Sequence, residues 1–148
     1  MEVPDCTSRV ASESVVKWIA ARGGIVKAQN QSILVVDDDH LICEYLTMTI
    51  QDLGYVVCGC AASAEEAVRM SHRHQPGVIL MDVRLRGQGD GIDAALEIRK
   101  TQDIPIIFVT GSNEPETLAR INNHDPAAVL IKPIMWEQLE RTLEFVLR

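Results

Sequence analysis

Residues 32–46 read SILVVDDDHLICEYL, and this stretch decides the fold. An apolar run at 33–36, rich in β-branched residues, leads into three consecutive aspartates. A segment with the apolar periodicity of a helix follows at once. The stretch therefore predicts a buried strand that ends in carboxylates and turns directly into a helix.

The same alternation continues to the end of the sequence. Strands are predicted at 33–36, 55–60, 78–81, 104–109 and 127–131, and helices at 40–53, 63–74, 91–101, 114–122 and 135–147. Several of these strands are apolar throughout, which is typical of a sheet covered on both faces. Short strands that alternate with helices predict an α/β domain with a parallel sheet over residues 31–148.

Length, composition and net charge limit the classes of function that this sequence can have. The 148 residues suit one domain, and 47% are apolar, but no apolar run is long enough to span a membrane. The N-terminus lacks the pattern of a secretory signal, so we expect a cytoplasmic protein with four reduced thiols: Cys6, Cys43, Cys58 and Cys60. The net charge of −7 argues against non-specific binding of DNA.

Residues 1–30 form an extension of different character. Ser12 is a candidate N-cap for a short amphipathic helix, and Gly23-Gly24 would end it before a linker. The apolar face of this helix would pack on its own domain or contact a dimer partner. Both interpretations stay open.

Chemically active residues fall at the predicted ends of four strands: Asp37, Asp38, Asp82, Thr110 and Lys132. The carboxyl ends of parallel strands share one edge of a sheet, where ligands bind. Two carboxylates about 4 Å apart repel by roughly 4 kcal/mol at an effective dielectric near 20, so a proton or a cation must lie between them. Carboxylate oxygens suit Mg²⁺. With a hydroxyl and an ammonium alongside, the set would bind a doubly charged oxyanion, and Asp82 could accept a phosphoryl group.

These residues, in this order, resemble the response-regulator receiver domain of two-component signalling. The match comprises the acidic pair Asp37-Asp38, the phospho-acceptor Asp82, Thr110 and Lys132-Pro133. The resemblance implies a flavodoxin-like sheet of five parallel strands in the order 2-1-3-4-5, with helices on both faces.

The resemblance also implies roles for individual residues. Asp38, Asp82 and the backbone carbonyl of Arg84 would bind Mg²⁺ directly, and Asp37 would act through water. Thr110 would hydrogen-bond the phosphoryl group. Lys132 would pair with that group, and the Lys132-Pro133 peptide bond would be cis. Asp39 is interpreted as a helix N-cap.

The implied activity is phosphoryl acceptance from a sensor histidine kinase or a histidine phosphotransfer protein. The domain would phosphorylate and dephosphorylate itself, with no external substrate to turn over. It would signal through a downstream protein target rather than through DNA or a membrane. A homodimer could form through the last helices or the N-terminal helix.

The sequence departs from the family pattern at two places. Val129 lies where many receivers carry Tyr or Phe, and FVTG at 108–111 resembles a subgroup of single-domain receivers with an F-x-T-G signature that lacks the aromatic switch. We therefore hypothesise that signalling passes through the loop GSNEPET at 111–117. Arg86 replaces a common Pro, and Arg84 could shield the phosphate, pair with Glu114 or lie in solvent.

Two other functions remain open at this stage. A haloacid-dehalogenase-like phosphatase would use Asp37 and Asp39 as nucleophile and acid, although Leu41 does not fit that family's motif. A pseudo-receiver would keep the fold without being phosphorylated. The Cys58-Gly59-Cys60 spacing predicts both thiols on one face of a strand rather than a zinc site.

Overall fold

The structure, a computed structural model, describes residues 31–111 and 113–148. The helix predicted within 1–30 lies outside the described residues. The strands are β1 Ser32–Val36, β2 Val56–Ala61, β3 Val78–Asp82, β4 Ile106–Thr110 and β5 Ala128–Ile131. The helices are α1 His40–Asp52, α2 Ala64–His74, α3 Gly91–Arg99, α4 Pro115–Asn122 and α5 Trp136–Val146.

The five strands form one parallel sheet in the order β2-β1-β3-β4-β5, which confirms the predicted architecture. One apolar cluster fills the face under α2 and α3, and another fills the face under α1 and α5. Burial of β1, β3 and β4 on both faces explains why their sequences are apolar without alternation.

The predicted boundaries hold to within two residues. The largest differences are two residues: α3, predicted to residue 101, ends at Arg99, and β4, predicted from residue 104, begins at Ile106. Pro105 precedes it and has no N–H to donate to a neighbouring strand, although its carbonyl accepts from Ile79 N–H at 3.0 Å. Within the described part of the chain, no helix combines the length and apolar character that a membrane crossing requires.

The prediction that Cys58 and Cys60 share a face of β2 is wrong. The pairing of β1 with β2 slips by one residue, because Ile33 pairs with Val57 whereas Leu34 pairs with Gly59. Cys58 is the extra residue of this β-bulge and packs in the cluster under α2 and α3. Cys60 instead approaches α1, where its Sγ lies 3.4 Å from Thr47 Oγ1.

Candidate functional site

One edge of the sheet collects the residues predicted to be functional. Asp37 directly follows β1, Asp82 ends β3, Thr110 ends β4 and Lys132 directly follows β5. Because β3 lies beside β1 and β4, and β4 beside β5, these four positions are neighbours along a single edge. The convergence predicted from the strand ends is therefore present.

Three carboxylates form a cluster at this edge. Oxygen atoms of Asp37, Asp38 and Asp82 all lie within 4.8 Å of one another. Asp37 and Asp82 are 3% and 6% exposed, whereas Asp38 is half-buried. Buried carboxylates at this separation repel strongly unless a cation neutralises them. The donor set, which is all oxygen and open on the side of Asp38, fits Mg²⁺.

Lys132 supplies the positive charge that the structure shows at this cluster. Its Nζ donates to Asp37 Oδ2 at 2.9 Å and to Asp82 Oδ2 at 3.1 Å. Burial opposes the charged form of Lys132, but hydrogen bonds to Asp37 and Asp82 outweigh it and hold the pKa of Lys132 above its ordinary value. Lys132 therefore stays an ammonium at neutral pH.

For Asp82, the surroundings favour the neutral form of the side chain over the charged form. Burial and then the charge of Asp37 raise the pKa of Asp82, although Lys132 and the backbone N–H of Arg84 both donate to its carboxylate and work against the shift. The ionised form of Asp82 is thus disfavoured in the folded chain. A second cation near Asp82 would remove this penalty.

Asp39 fixes the turn between β1 and α1. Its side chain accepts from the N–H groups of Leu41 at 3.0 Å and Ile42 at 3.4 Å, so the predicted N-cap is confirmed. Its own N–H donates to Asp37 Oδ1 at 2.8 Å, which orients that carboxylate. The engagement of Asp39 at the helix end gives no support to the phosphatase alternative, in which Asp39 would be a general acid.

Gly91 brings the β3–α3 loop against the site, and sequence reasoning did not identify this role. Its N–H donates to Val83 O at 2.7 Å. A Cβ at position 91 would overlap the Asp82 carbonyl oxygen and lie 2.9 Å from Met81 Cγ. The only signal in the sequence is the Asp-Gly pair at 90–91, where Asp90 forms a capping box with Asp93 at the start of α3.

An ion pair connects this loop to α4. Arg120 Nη2 donates to Asp90 Oδ2 at 2.9 Å. Burial favours the neutral form of Asp90, but hydrogen bonds from the Asp93 N–H and from Arg120 outweigh it and hold the pKa of Asp90 below its ordinary value. Sequence reasoning missed this contact, because the two residues are 30 positions apart and nothing in the sequence marks them as partners.

The remaining predicted features have different outcomes. The Lys132-Pro133 bond is cis, as the resemblance implied. Val129 is partly buried and packs against the cluster under α2 and α3, so no aromatic ring occupies its place. The carbonyl of Arg84 as a metal ligand, the Arg84–Glu114 pair and the hydrogen bond of Thr110 to a phosphoryl group stay predictions.

Comparison with known proteins adds family evidence to this geometry. A family model described as a response regulator receiver domain matches residues 33–144. The chain is 35% identical over 102 residues to the phyllosphere-induced regulator PhyR of Methylorubrum extorquens. This alignment covers 68% of the chain and 38% of PhyR. It is 31% identical over 112 residues to the transcriptional regulatory protein PdtaR of Mycobacterium tuberculosis. That alignment covers 76% of this chain and 54% of PdtaR.

A solved structure supports the same relationship. The signal receiver domain of a modulated diguanylate cyclase from Desulfovibrio desulfuricans G20 superposes with a TM-score of 0.73 and 34% identity. The superposition covers 78% of this chain and 91% of that domain. The chain therefore spans about half or less of the two curated relatives but nearly all of a receiver domain.

Proposed function

The chain belongs to the response-regulator receiver family, and from that premise we propose that it accepts a phosphoryl group on Asp82. One observation carries the proposal. The Lys132 ammonium bridges Asp37 and Asp82 within a cluster of three carboxylates at the carboxyl edge of the sheet. A cation beside a carboxylate cluster with room for a second cation is the charge arrangement that phosphoryl transfer requires.

Asp82 is the nucleophile in this proposal. One carboxylate oxygen attacks the phosphorus of a phosphohistidine, the P–N bond breaks, and the imidazole leaves and takes up a proton. An aspartyl phosphate remains. Attack by water on the same phosphorus later releases inorganic phosphate and restores the carboxylate, so the chain acts on itself and turns over no external substrate.

The other site residues stabilise charge or orient groups. Lys132, which already donates to Asp82, pairs with the transferred phosphoryl oxygens, and the hydroxyl of Thr110 donates to one of them. Asp37, Asp38, Asp82 and the backbone carbonyl of Arg84 would hold Mg²⁺. When bound, Mg²⁺ offsets the negative charge shared by the carboxylates and the phosphoryl group.

The direct test is phosphorylation with a small-molecule donor. The purified chain is incubated with acetyl phosphate and Mg²⁺, and intact mass spectrometry then measures the added phosphoryl group. We expect one addition in the wild type and none in Asp82→Asn or after Mg²⁺ is chelated. Asp103→Asn is the matched control, because Asp103 is an exposed aspartate that precedes β4, at the end of the strand away from the site. Addition that persists in Asp82→Asn would reject the proposed acceptor.

The phosphodonor must reach Asp82, and α1 offers a surface beside the site. Leu41, Tyr45 and Met48 recur along one side of this helix and are 74%, 49% and 65% exposed. Tyr45 Oη also donates to Ile134 O at 3.5 Å, which joins α1 to the segment after Lys132. We propose that a sensor histidine kinase or a histidine phosphotransfer protein docks an apolar helical face on this stripe.

A substitution separates docking from chemistry. Leu41→Glu is expected to slow phosphorylation by the protein donor at least tenfold while leaving phosphorylation by acetyl phosphate unchanged. The exposed Glu65→Gln on α2 is the control. Equal slowing with both donors would place the defect in the site rather than in docking. The downstream protein target and the predicted homodimer through the last helices or the N-terminal helix stay predictions.

A further inference from the structure

Cys43 and Cys60 both lie between α1 and the sheet, outside the acidic site. Cys43 is buried on α1, and Cys60 is exposed on β2, which is an edge strand of the sheet. Thr47 lies one helical turn after Cys43 on the same side of α1, and its Oγ1 is 3.4 Å from Cys60 Sγ. Cys60 therefore lies against the side of the helix that carries Cys43.

The β-bulge in β2 creates this arrangement. Cys58 is the extra residue where the pairing with β1 slips, and it packs on the other face of the sheet. Without the slip, Cys60 would lie on the same face as Cys58 and away from α1. The bulge therefore places Cys58 on the face of the sheet away from α1 and turns Cys60 toward the helix that carries Cys43.

The two thiols differ in reactivity. A hydrogen bond with Cys43 lowers the pKa of Cys60 to about 6 against the opposing effect of burial, and the Thr47 hydroxyl and the charge of His40 contribute to the lowering. Cys43, by contrast, is buried on α1, and its Sγ donates to Asp37 O. At neutral pH the pair thus combines an accessible thiolate with a buried thiol, which is the pattern of an attacking and a resolving cysteine.

We propose that Cys43 and Cys60 form a redox site, in which a hydroperoxide oxidises the pair to a disulfide that links α1 to β2. The Cys60 sulfur attacks one peroxide oxygen, the O–O bond breaks, and the leaving oxygen takes up a proton to depart as water or an alcohol. The resulting sulfenic sulfur is attacked by the sulfur of Cys43. The S–O bond breaks, and hydroxide leaves with the Cys43 proton as water. Two thiols are oxidised for each peroxide reduced.

The site adjoins the acidic cluster without depending on it. Cys43 Sγ donates to Asp37 O at 3.4 Å, so the disulfide would remove one donor from the backbone beside the cluster. No step of the oxidation involves Asp82 or a phosphoryl group. The redox proposal can therefore fail while the proposed phosphorylation stands, and the reverse also holds.

The test uses the full chain with Cys6→Ser, so that no thiol outside the described residues takes part. The protein is treated with hydrogen peroxide, the remaining thiols are blocked, and peptides are mapped by mass spectrometry without reduction. We expect a linked pair of peptides containing Cys43 and Cys60 and a chain lighter by two hydrogen atoms. Cys58→Ser should keep this link, and Cys60→Ser should lose it.

A second variant keeps the proposal falsifiable if burial makes position 43 sensitive to substitution. In Cys43→Ser, checked for folding by circular dichroism, the sulfenic acid on Cys60 has no resolving thiol and should accumulate, where dimedone traps it. Folded Cys43→Ser without a trapped adduct would overturn the proposal. Wild-type oxidation of Cys60 to sulfinic acid, links between chains, or a link through Cys58 would also overturn it.

Discussion

The ammonium of Lys132 lies 2.9 Å from Asp37 Oδ2, although the two residues are 95 positions apart in the sequence. The same ammonium reaches Asp82. Lys132 is therefore the cation that neutralises the carboxylate cluster before any metal binds. Mg²⁺ would neutralise the same carboxylates, so lysine and metal should partly substitute for each other in stability.

The first prediction concerns Lys132→Met. Removing the ammonium leaves Asp37 and Asp82 buried without a counter-charge, and Lys132 is only 23% exposed. Without Mg²⁺, we expect the free energy of unfolding to fall by about 2 kcal/mol. This loss is smaller than that for a fully buried ion pair, because water screens part of the interaction. Chemical denaturation with and without Mg²⁺ measures this loss, and saturating Mg²⁺ should reduce it.

Lys100→Met provides the matched control for this prediction. Lys100 donates to Glu97 Oε2 at 2.8 Å, but 69% of the lysine side chain is exposed. Its loss should change the free energy of unfolding little, with or without Mg²⁺. A loss in Lys132→Met that does not depend on Mg²⁺ would contradict the idea that the two cations act on the same carboxylates.

The second prediction concerns Asp82→Asn and pH. The pKa of Asp82 is raised in the folded chain, so ionised Asp82 lowers the free energy of unfolding. This loss is fully present at pH values above the folded pKa. Without Mg²⁺, Asp82→Asn should therefore be more stable than the wild type at pH 7. The difference should shrink as the pH falls through the folded pKa, because wild-type Asp82 then becomes protonated. Thermal unfolding across this pH range measures the difference.

Mg²⁺ should reduce the stability advantage of Asp82→Asn over the wild type. At a concentration tenfold above its Kd, Mg²⁺ should stabilise the wild type by about 1.4 kcal/mol, and it should stabilise Asp82→Asn less because a ligand is lost. Asp103→Asn, which changes an exposed carboxylate, should follow the wild type at each pH and Mg²⁺ concentration. Equal stabilisation of wild type and Asp82→Asn by Mg²⁺ would place the metal elsewhere.

The sequence predicted the sheet and the convergence of the acids because both follow from simple rules. Apolar strands that alternate with helices specify a parallel sheet, and parallel strands place Asp37, Asp82 and Lys132 at one edge whatever the loops do. Asp39 was predicted as an N-cap because capping depends on neighbours only two or three residues away.

The features that the sequence did not predict depend on register and on side chains distant in sequence. The bulge in β2 reverses the direction of Cys60, and its mark in the sequence is Gly59, a glycine inside a strand, which was not interpreted as a bulge. The ion pair between Asp90 and Arg120 depends on how α4 lies beside the β3–α3 loop. The close approach of Gly91 to the Asp82 backbone likewise appears only when the loop is folded.

The third prediction compares Gly91→Ala with Gly111→Ala. The methyl group at position 91 would overlap the Asp82 carbonyl oxygen, so backbone beside the acceptor has to move. We expect Gly91→Ala to lower the free energy of unfolding by about 1–3 kcal/mol and to slow phosphorylation by acetyl phosphate. A Cβ at Gly111 would meet no atom within 4 Å, so Gly111→Ala should leave stability nearly unchanged. Equal stability of the two variants would contradict the packing argument.

The fourth prediction concerns the loop at 111–117, which we hypothesise carries the signal in place of an aromatic side chain. Thr110 ends β4 immediately before this loop, and Val129 has no ring that could move inward when Thr110 approaches a phosphoryl group. The far end of α4 is held to the β3–α3 loop by Arg120 and Asp90. A shift of Thr110 should therefore appear mainly at 111–117, a segment that includes the start of α4.

Hydrogen exchange measured with and without beryllofluoride and Mg²⁺ tests this expectation. We expect slower exchange at 111–117, because the phosphoryl mimic draws Thr110 and the adjoining backbone into an ordered arrangement, and no change in α2, which lies on the other side of the site. Asp82→Asn should show no response in either segment, which ties the effect to the acceptor. Unchanged exchange at 111–117 in a wild type that binds the mimic would mean that the signal leaves the site by another route. Slowing confined to α1 or α5 would show that the signal passes to the other face of the sheet. Those two helices pack on the face opposite Val129.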